Sequence, residues 1–253
     1  MSGRFDLSGK VALITGGSQG LGKAMARGLV EQGAKVILAS RDEAKLRKSL
    51  DEVLLGTTGE GRILVVDLAK RGEAGRLAKE AEALWGRVDI LVNNAGSNRP
   101  EAIDRITDEA WDQIVELNLT SVMALTRSVA KGMKERGWGR VIHIASIMAT
   151  VSKEGRNTYS ATKSALLGLA RANALDLGPF GITVNCLSPG PFLTELPGKL
   201  LSDADKAVFA AHTALGRWGQ PDELVGAALL LASPAGAYIT GTNLIVDGGY
   251  LCR

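Results

Sequence analysis

Val11-Ala12-Leu13-Ile14-Thr15-Gly16-Gly17-Ser18-Gln19-Gly20-Leu21-Gly22 decides the fold. Its first five residues form a short apolar run bounded by a glycine turn, which predicts a strand buried on both faces. The turn then opens a helical pattern, Leu21–Gln32, closed by Gly33 as a left-handed cap residue. Gly16 allows a sharp turn, Gly20 allows close backbone approach to a pyrophosphate, and Gly22 allows the helix to pack closely on the strand. The free amides of Ser18, Gln19, Gly20 and Leu21 at a helix start suit an anion. The spacing is Gly-x3-Gly-x-Gly, which differs from the Gly-x-Gly-x2-Gly dinucleotide fingerprint, and a glycine turn by itself is a weak signal that a plain strand–helix connection can also produce.

Working outward, the same alternation repeats along the chain. Lys35–Ala39, Ile63–Asp67, Ile90–Asn93, Val141–Ser146, Thr183–Ser188 and Asn243–Val246 read as further strands. Glu43–Leu54, Gly72–Trp85, Asp108–Arg136, Thr158–Leu177 and Pro221–Ala232 read as helices. The fourth helical pattern is capped by Thr107, carries Asp108 and Glu109 in its first turn, and is expected to split into two helices with a bend near Asn118. This order predicts an α/β doubly wound parallel sheet of seven strands, flanked by helices on both faces, as a single Rossmann-type domain over 1–253. Ligands of such sheets bind beyond the carboxyl ends of the strands, where strand order reverses. Thr15, Ser40, Asp67, Asn93, Ser146 and Ser188 fall at those ends.

The 253 residues are 45% hydrophobic and 23% charged, with mean hydropathy +0.08, a globular composition. The net charge of +3 comes from 30 basic and 27 acidic residues that are well mixed, which argues against a nucleic-acid or membrane-surface role. Met1–Lys10 lacks the apolar core of a signal peptide. Leu224–Val246 is uncharged, but Ser233-Pro234, Gly236, Gly241 and Asn243 break it into helix, turn and strand rather than a membrane span. Cys186 and Cys252 lack metal-type spacing and fit a reducing, cytoplasmic compartment. His143 and His212 have no ligand partners nearby in sequence, so no metal is expected, and His143 reads as a packed strand residue.

The chain resembles the short-chain dehydrogenase/reductase family. Thr15–Gly22 matches that family's cofactor turn, and Asn93-Asn94-Ala95-Gly96 its motif after the fourth strand. Asn118, Ser146, Tyr159 and Lys163 match its catalytic tetrad, Pro189-Gly190 and Thr194 its nicotinamide-side segment, and Val246-Asp247-Gly248-Gly249 its usual ending. The family often carries a second serine where Ala145 stands. The resemblance extends to gluconate 5-dehydrogenase-like and 3-oxoacyl-carrier-protein reductase-like members. It implies hydride transfer between a nicotinamide cofactor and a ketone or secondary alcohol, in a homotetramer paired through Asp108–Arg136, Thr158–Leu177 and the last strand. Leu166, Leu167 and Leu169 fit a helix with several buried faces.

Residue chemistry supports that reading. Tyr159 and Lys163 are four apart and share a helix face. An ordinary tyrosine, with a pKa near ~10, is a poor acid or base at neutral pH. A neighbouring ammonium and a positive nicotinamide are expected to lower that pKa, so that Tyr159 gives or takes the substrate proton. Ser146 is placed to hydrogen-bond and orient the substrate oxygen. The resemblance assigns Lys163 a second role on the nicotinamide ribose, and Asn118 the holding of a relay water.

At the end of the second strand, Ser40 replaces the acidic residue that would repel a 2′-phosphate, and Arg41 supplies a charge to pair with one, so NADP(H) is the expected cofactor. Asp42 is better placed to cap the next helix. Asp67 and Leu68 resemble the family's residues near the adenine. Residues 191–220, with Phe192, Leu193, Leu196, Leu200, Leu201 and Phe209, are expected to cover the substrate as a lid. Arg99 and Arg156 lie near Gly96 and Tyr159 in sequence and could meet an anionic substrate. The contrasting alternative, a non-catalytic NADP-sensing regulator on the same fold, would be favoured by loss of Tyr159 or Lys163, and both are present.

Overall fold

The computed structural model describes residues 3–194 and 202–252. Seven strands form one all-parallel sheet: β1 Val11–Thr15, β2 Lys35–Ser40, β3 Gly61–Val65, β4 Ile90–Asn93, β5 Gly139–Ile144, β6 Ile182–Pro189 and β7 Asn243–Val246. Their order is β3-β2-β1-β4-β5-β6-β7, so the order in which strands are added reverses between β1 and β4. Among the described residues the α-helices are α1 Gly20–Glu31, α2 Glu43–Leu54, α3 Glu73–Trp85, α4 Asp108–Val115, α5 Ser121–Arg136, α6 Asn157–Leu177, α7 Asp203–His212 and α8 Val225–Ala232.

Alternation along the strands builds two cores. Val11, Leu13, Ile37, Leu91, Val141 and Val184 face one side, against Leu77 of α3, Leu125 and Val129 of α5, and Leu166 of α6. Ala12, Ile14, Val36, Leu38, Ile90 and Ile142 face the other, against Met25 and Leu29 of α1, Leu46 of α2 and Leu231 of α8. Each fully buried Leu or Ile contributes about 1.5–3 kcal/mol, which fixes the register over the site. The edge strands differ from the uniform burial expected: β3 and β7 are partly exposed, because each has a neighbour on one side only.

Several boundaries move for identifiable reasons. β3 ends at Val65 rather than Asp67, since an Asp67 carboxylate oxygen accepts from Ala69 N (3.2 Å) and turns the chain. β5 ends before Ser146, whose hydroxyl accepts from Met148 N (3.1 Å). The expected division into two helices falls at Asn118, where Glu116–Thr120 form a π-helical turn joining α4 to α5, a feature often found at functional sites. Pro221–Leu224 are a 3₁₀ turn, closed by a reciprocal Gln220–Glu223 capping box, before α8 begins. Gly33 (φ 91°), Thr107 and Asp42 cap as expected.

Within 191–220, Phe192 is buried and packs on Gly219, where a Cβ would lie 2.8 Å from its ring, so Phe192 belongs to the core and not to a substrate-covering surface. Phe209 of α7 meets Trp218 edge-to-face at 5.4 Å, and Trp218 Nε1 donates to the Lys206 carbonyl. Leu196, Leu200 and Leu201 lie outside the described residues. Among the described residues no helix is long and apolar enough to cross a membrane.

Candidate active site

The glycine turn lies at the carboxyl end of β1, beside the switch point. Gly16 (φ +66°) and Gly20 (φ +55°) occupy the left-handed region. Gly22 has another reason to be bare: a Cβ there would fall 2.4 Å from the Gly16 carbonyl oxygen and 2.5 Å from Asn94 Nδ2. It packs on the turn itself rather than on the strand. The first turn of α1 holds no acidic side chain and no side-chain cap, so its amides are left for an anion. Ser18 is half-buried there and Gln19 exposed, while Leu21 packs against the second core.

The Asn94-Ala95-Gly96 segment crosses to this turn. Asn94 Nδ2 donates to the carbonyls of Thr15 (2.9 Å) and Gly16 (3.1 Å). The main-chain amides of Asn94 and Ala95 both donate to Thr15 Oγ1 at 3.0 Å. The side chain of Asn94 is thus spent on shaping the cradle. Thr15 was legible only as a polar strand end; its partners lie 79 and 80 residues away, and no local pattern reports them.

At the end of β2, Ser40 Oγ is buried with no hydrogen-bond partner, and exposed Arg41 makes no ion pair among the described residues. An orphaned hydroxyl beside an uncommitted guanidinium fits a phosphorylated ribose. Asp42 accepts from Lys45 N and is engaged as the α2 cap. Asp67 is half-buried on its own loop, and the Leu68 side chain is in the core, so Leu68 has only main-chain groups to offer a ligand. Pro189 ends β6. Gly190 N donates to the Val246 carbonyl, and a Cβ on Gly190 would come within 2.6 Å of Asp247. Thr194 N donates to the Phe192 carbonyl.

The four remaining residues converge between β4, β5 and α6. Ser146, just past the end of β5, stands close enough to Tyr159, in the first turn of α6, for its hydroxyl to favour the phenolate. Lys163, one turn on, is buried; its ammonium donates to the Ile144 carbonyl at 2.6 Å and stands 5.6 Å from the Tyr159 ring centre. Burial pushes the Lys163 pKa down to about 8. Burial also raises the Tyr159 phenol above its usual value, opposed by the Ser146 hydroxyl and the charge of Arg156. The expected lowering of the phenol by Lys163 is therefore not what the protein alone provides: burial raises the phenol, and what opposes it comes from Ser146 and Arg156.

Asn118 is buried in the π-helical turn. Its Oδ1 accepts from Ser97 N (2.9 Å), and its Nδ2 donates to the Ser97 carbonyl (2.9 Å) and Thr162 Oγ1 (3.2 Å). Both ends of the amide are engaged, so the side chain has little capacity left for a water. Gly96 lies between Asn118 and Lys163: a Cβ there would stand 3.2 Å from Asn118 Oδ1 and 3.5 Å from Lys163 Nζ. Ser97 and Thr162 hold this corner, and sequence reasoning passed over both because they match no motif.

Two further polar groups border the site. His143 is fully buried on β5, bonded at Nδ1 to Asn93 Nδ2 (3.1 Å) with Nε2 unpartnered; burial, then the nearby Lys163 charge, hold its pKa down to about 4. Arg99 pairs with Glu101 at 3.1 Å.

The chain matches, over residues 16–251, the family model described as enoyl-(acyl carrier protein) reductase. It is 40% identical to the 3-oxoacyl-(acyl-carrier-protein) reductase FabG of Vibrio cholerae over 245 residues, 97% of this chain and 98% of that one. It is 36% identical to the gluconate 5-dehydrogenase of Gluconobacter oxydans over 249 residues, covering 97% of this chain and 96% of its relative. Among solved structures, a gluconate 5-dehydrogenase from Burkholderia cenocepacia in complex with NADP and tartrate superimposes with TM-score 0.90 at 37% identity, over 99% of this chain and 98% of its own. These relatives are oxidoreductases, which sets aside the non-catalytic regulator. The chain belongs to the short-chain dehydrogenase/reductase family and is an oxidoreductase of alcohol and carbonyl groups.

Proposed function

We propose that this enzyme uses NADP(H) to interconvert a ketone and a secondary alcohol on a small hydroxylated keto acid. The observation that carries the reading is the convergence of Ser146, Tyr159 and Lys163 beside the Gly16–Gly22 cradle. When bound, the nicotinamide supplies or accepts the hydride. Ser146 and Tyr159 share the substrate oxygen; Ser146 orients it, and the phenol gives its proton in reduction or takes one in oxidation. Lys163, already depressed to about 8, is poised to exchange protons near neutrality and to reach a ribose hydroxyl by leaving the Ile144 carbonyl. With the Asn118 amide engaged, a relay water would fall to its main-chain carbonyl in the π-helical turn. Gly16, Ser18, Gln19, Gly20 and Leu21 would hold the pyrophosphate, and Ser40 with Arg41 the 2′-phosphate. Asp67 and Leu68 would border the adenine, with Asn94, Ala95, Gly96, Pro189, Gly190 and Thr194 on the nicotinamide side.

The gluconate 5-dehydrogenase relatives, one of them holding tartrate, support a hydroxylated acid as substrate. The 40% identity to a 3-oxoacyl reductase supports 3-oxoacyl thioesters as the second reading. NADPH oxidation by purified protein across keto-sugar acids, 3-oxoacyl thioesters and cyclic ketones decides between them; no turnover on any ketone rejects the proposal. Residues 191–220 would form the lid within the single domain. The enzyme is proposed to work as a cytoplasmic homotetramer. In support, Met123 on α5 and Ile245 on the edge strand β7 are exposed apolar residues, Met123 bordering a groove between α5 and α6 that also carries Arg127, Lys131, Lys134 and Asp176. A monomeric mass by light scattering at micromolar concentration would contradict the assembly.

A further inference from the structure

We propose that Arg156 pairs with a carboxylate on the substrate and so selects anionic keto acids over neutral ketones. This rests on the reading above and names the residue that would enforce it. Arg156 is the N-cap residue of α6, three residues before Tyr159 and near enough for its charge to act on the phenol. Its backbone is fixed on both sides: Arg156 N donates to the Lys153 carbonyl (3.1 Å), and Ser160 N donates to the Arg156 carbonyl (2.7 Å). Arg156 also forms a β-bridge with Glu101, and Asn157 Nδ2 donates to the Glu101 carbonyl (3.0 Å). The guanidinium is therefore delivered from a stitched corner beside the phenol.

The other charges of this corner are committed or turned elsewhere. Arg99 is paired with Glu101, and the Lys153 ammonium lies 5.3 Å from the ring centre of Phe209 on α7. Glu154 is exposed on the same loop as Lys153. Arg156 is half-buried, and among the described residues its side chain has neither hydrogen bond nor ion pair. The first turn of α6 offers it no acidic partner. A half-buried guanidinium without a counter-ion is incompletely satisfied, and a carboxylate supplies the planar, two-pronged acceptor it matches.

The same charge acts on the reaction. Around the phenol are Ser146 from the turn after β5, Lys163 from α6, and Arg156 at the α6 N-cap. Arg156 favours the phenolate and works against the upward push of burial. Neutralising it must raise the phenol pKa and shift to higher pH the rise in kcat/KM for alcohol oxidation.

Titration calorimetry of tartrate into NADP⁺-loaded protein tests this without turnover. Arg156→Gln should weaken tartrate at least about 10-fold, the scale of a lost charge-assisted pair, while NADP⁺ affinity stays at the wild-type value. Arg156→Lys should restore part of the tartrate affinity and return the pH profile towards wild type. Equal tartrate affinity in wild type and Arg156→Gln would overturn the inference. So would a wild type that turns over neutral ketones with NADPH yet binds no tartrate. A protein that neither binds NADP⁺ nor turns over any ketone rejects the proposed function itself, and this inference with it.

Discussion

Replacing Thr15 by valine keeps the branched shape at the end of β1 and removes one oxygen. That oxygen accepts from two main-chain amides, Asn94 N and Ala95 N, both at 3.0 Å, and Thr15 is buried. A buried donor left without a partner costs about 1–3 kcal/mol. Asn94 N keeps a second acceptor, the Val92 carbonyl (3.1 Å), so the loss falls on the partly buried Ala95 amide and comes to about 1–2 kcal/mol. For a chain of this size that corresponds to a fall in Tm of roughly 2–8 °C. Thr15→Ser keeps the acceptor, loses a methyl, and should cost about 1 kcal/mol. The assay is urea unfolding and thermal melting at one fixed protein concentration, because any self-association would make both concentration-dependent. NADPH affinity should fall with Thr15→Val and hold with Thr15→Ser, since the Asn94 segment also shapes the Gly16 turn. If Thr15→Val unfolds within ~0.5 kcal/mol of wild type, the claim that this hydroxyl pins the two segments is wrong.

Tyr159→Phe should retain NADPH affinity and lose most turnover, read by fluorescence titration and steady-state kinetics; wild-type turnover would reject its proton-transfer role. Wild type should prefer NADPH over NADH by at least ~10-fold in kcat/KM, the scale of charge-assisted contacts to a 2′-phosphate. Ser40→Asp with Arg41→Ala should narrow or reverse that preference, and equal use of both cofactors by wild type would show that Arg41 serves solvent. His143 has a folded pKa of about 4 against an ordinary 6.5, so the unfolded chain binds the extra proton between those values. Stability contributed by neutral His143 is full above pH 6.5 and is lost as pH falls to about 4, by about 3 kcal/mol. Urea midpoints at pH 7 and 4.5 should therefore separate less in His143→Gln than in wild type; identical pH slopes would refute this.

The sequence by itself determined the order of the elements and named the candidate site residues. Alternating short apolar runs and helical patterns placed seven strands, and β1, β4 and β7 fall where the residues predicted. Strand burial and glycine turns are local demands, written in consecutive residues. Tyr159 and Lys163 were legible for the same reason, since helix geometry alone puts positions four apart on one face. Tertiary structure decided what those residues are worth. The phenol is raised and the lysine lowered because both are desolvated by neighbours distant in the chain, which residue type cannot report. Asn118 is exhausted by Ser97 and Thr162, and Phe192 joins the core instead of covering the substrate. Thr15 became a hinge only when Asn94 and Ala95 came to it across the sheet. Arg156 stood out only once Arg99 and Lys153 were seen to be engaged elsewhere. Hydrogen bonding and desolvation depend on which distant segments fold together, whereas strand and helix periods depend on neighbours in the chain.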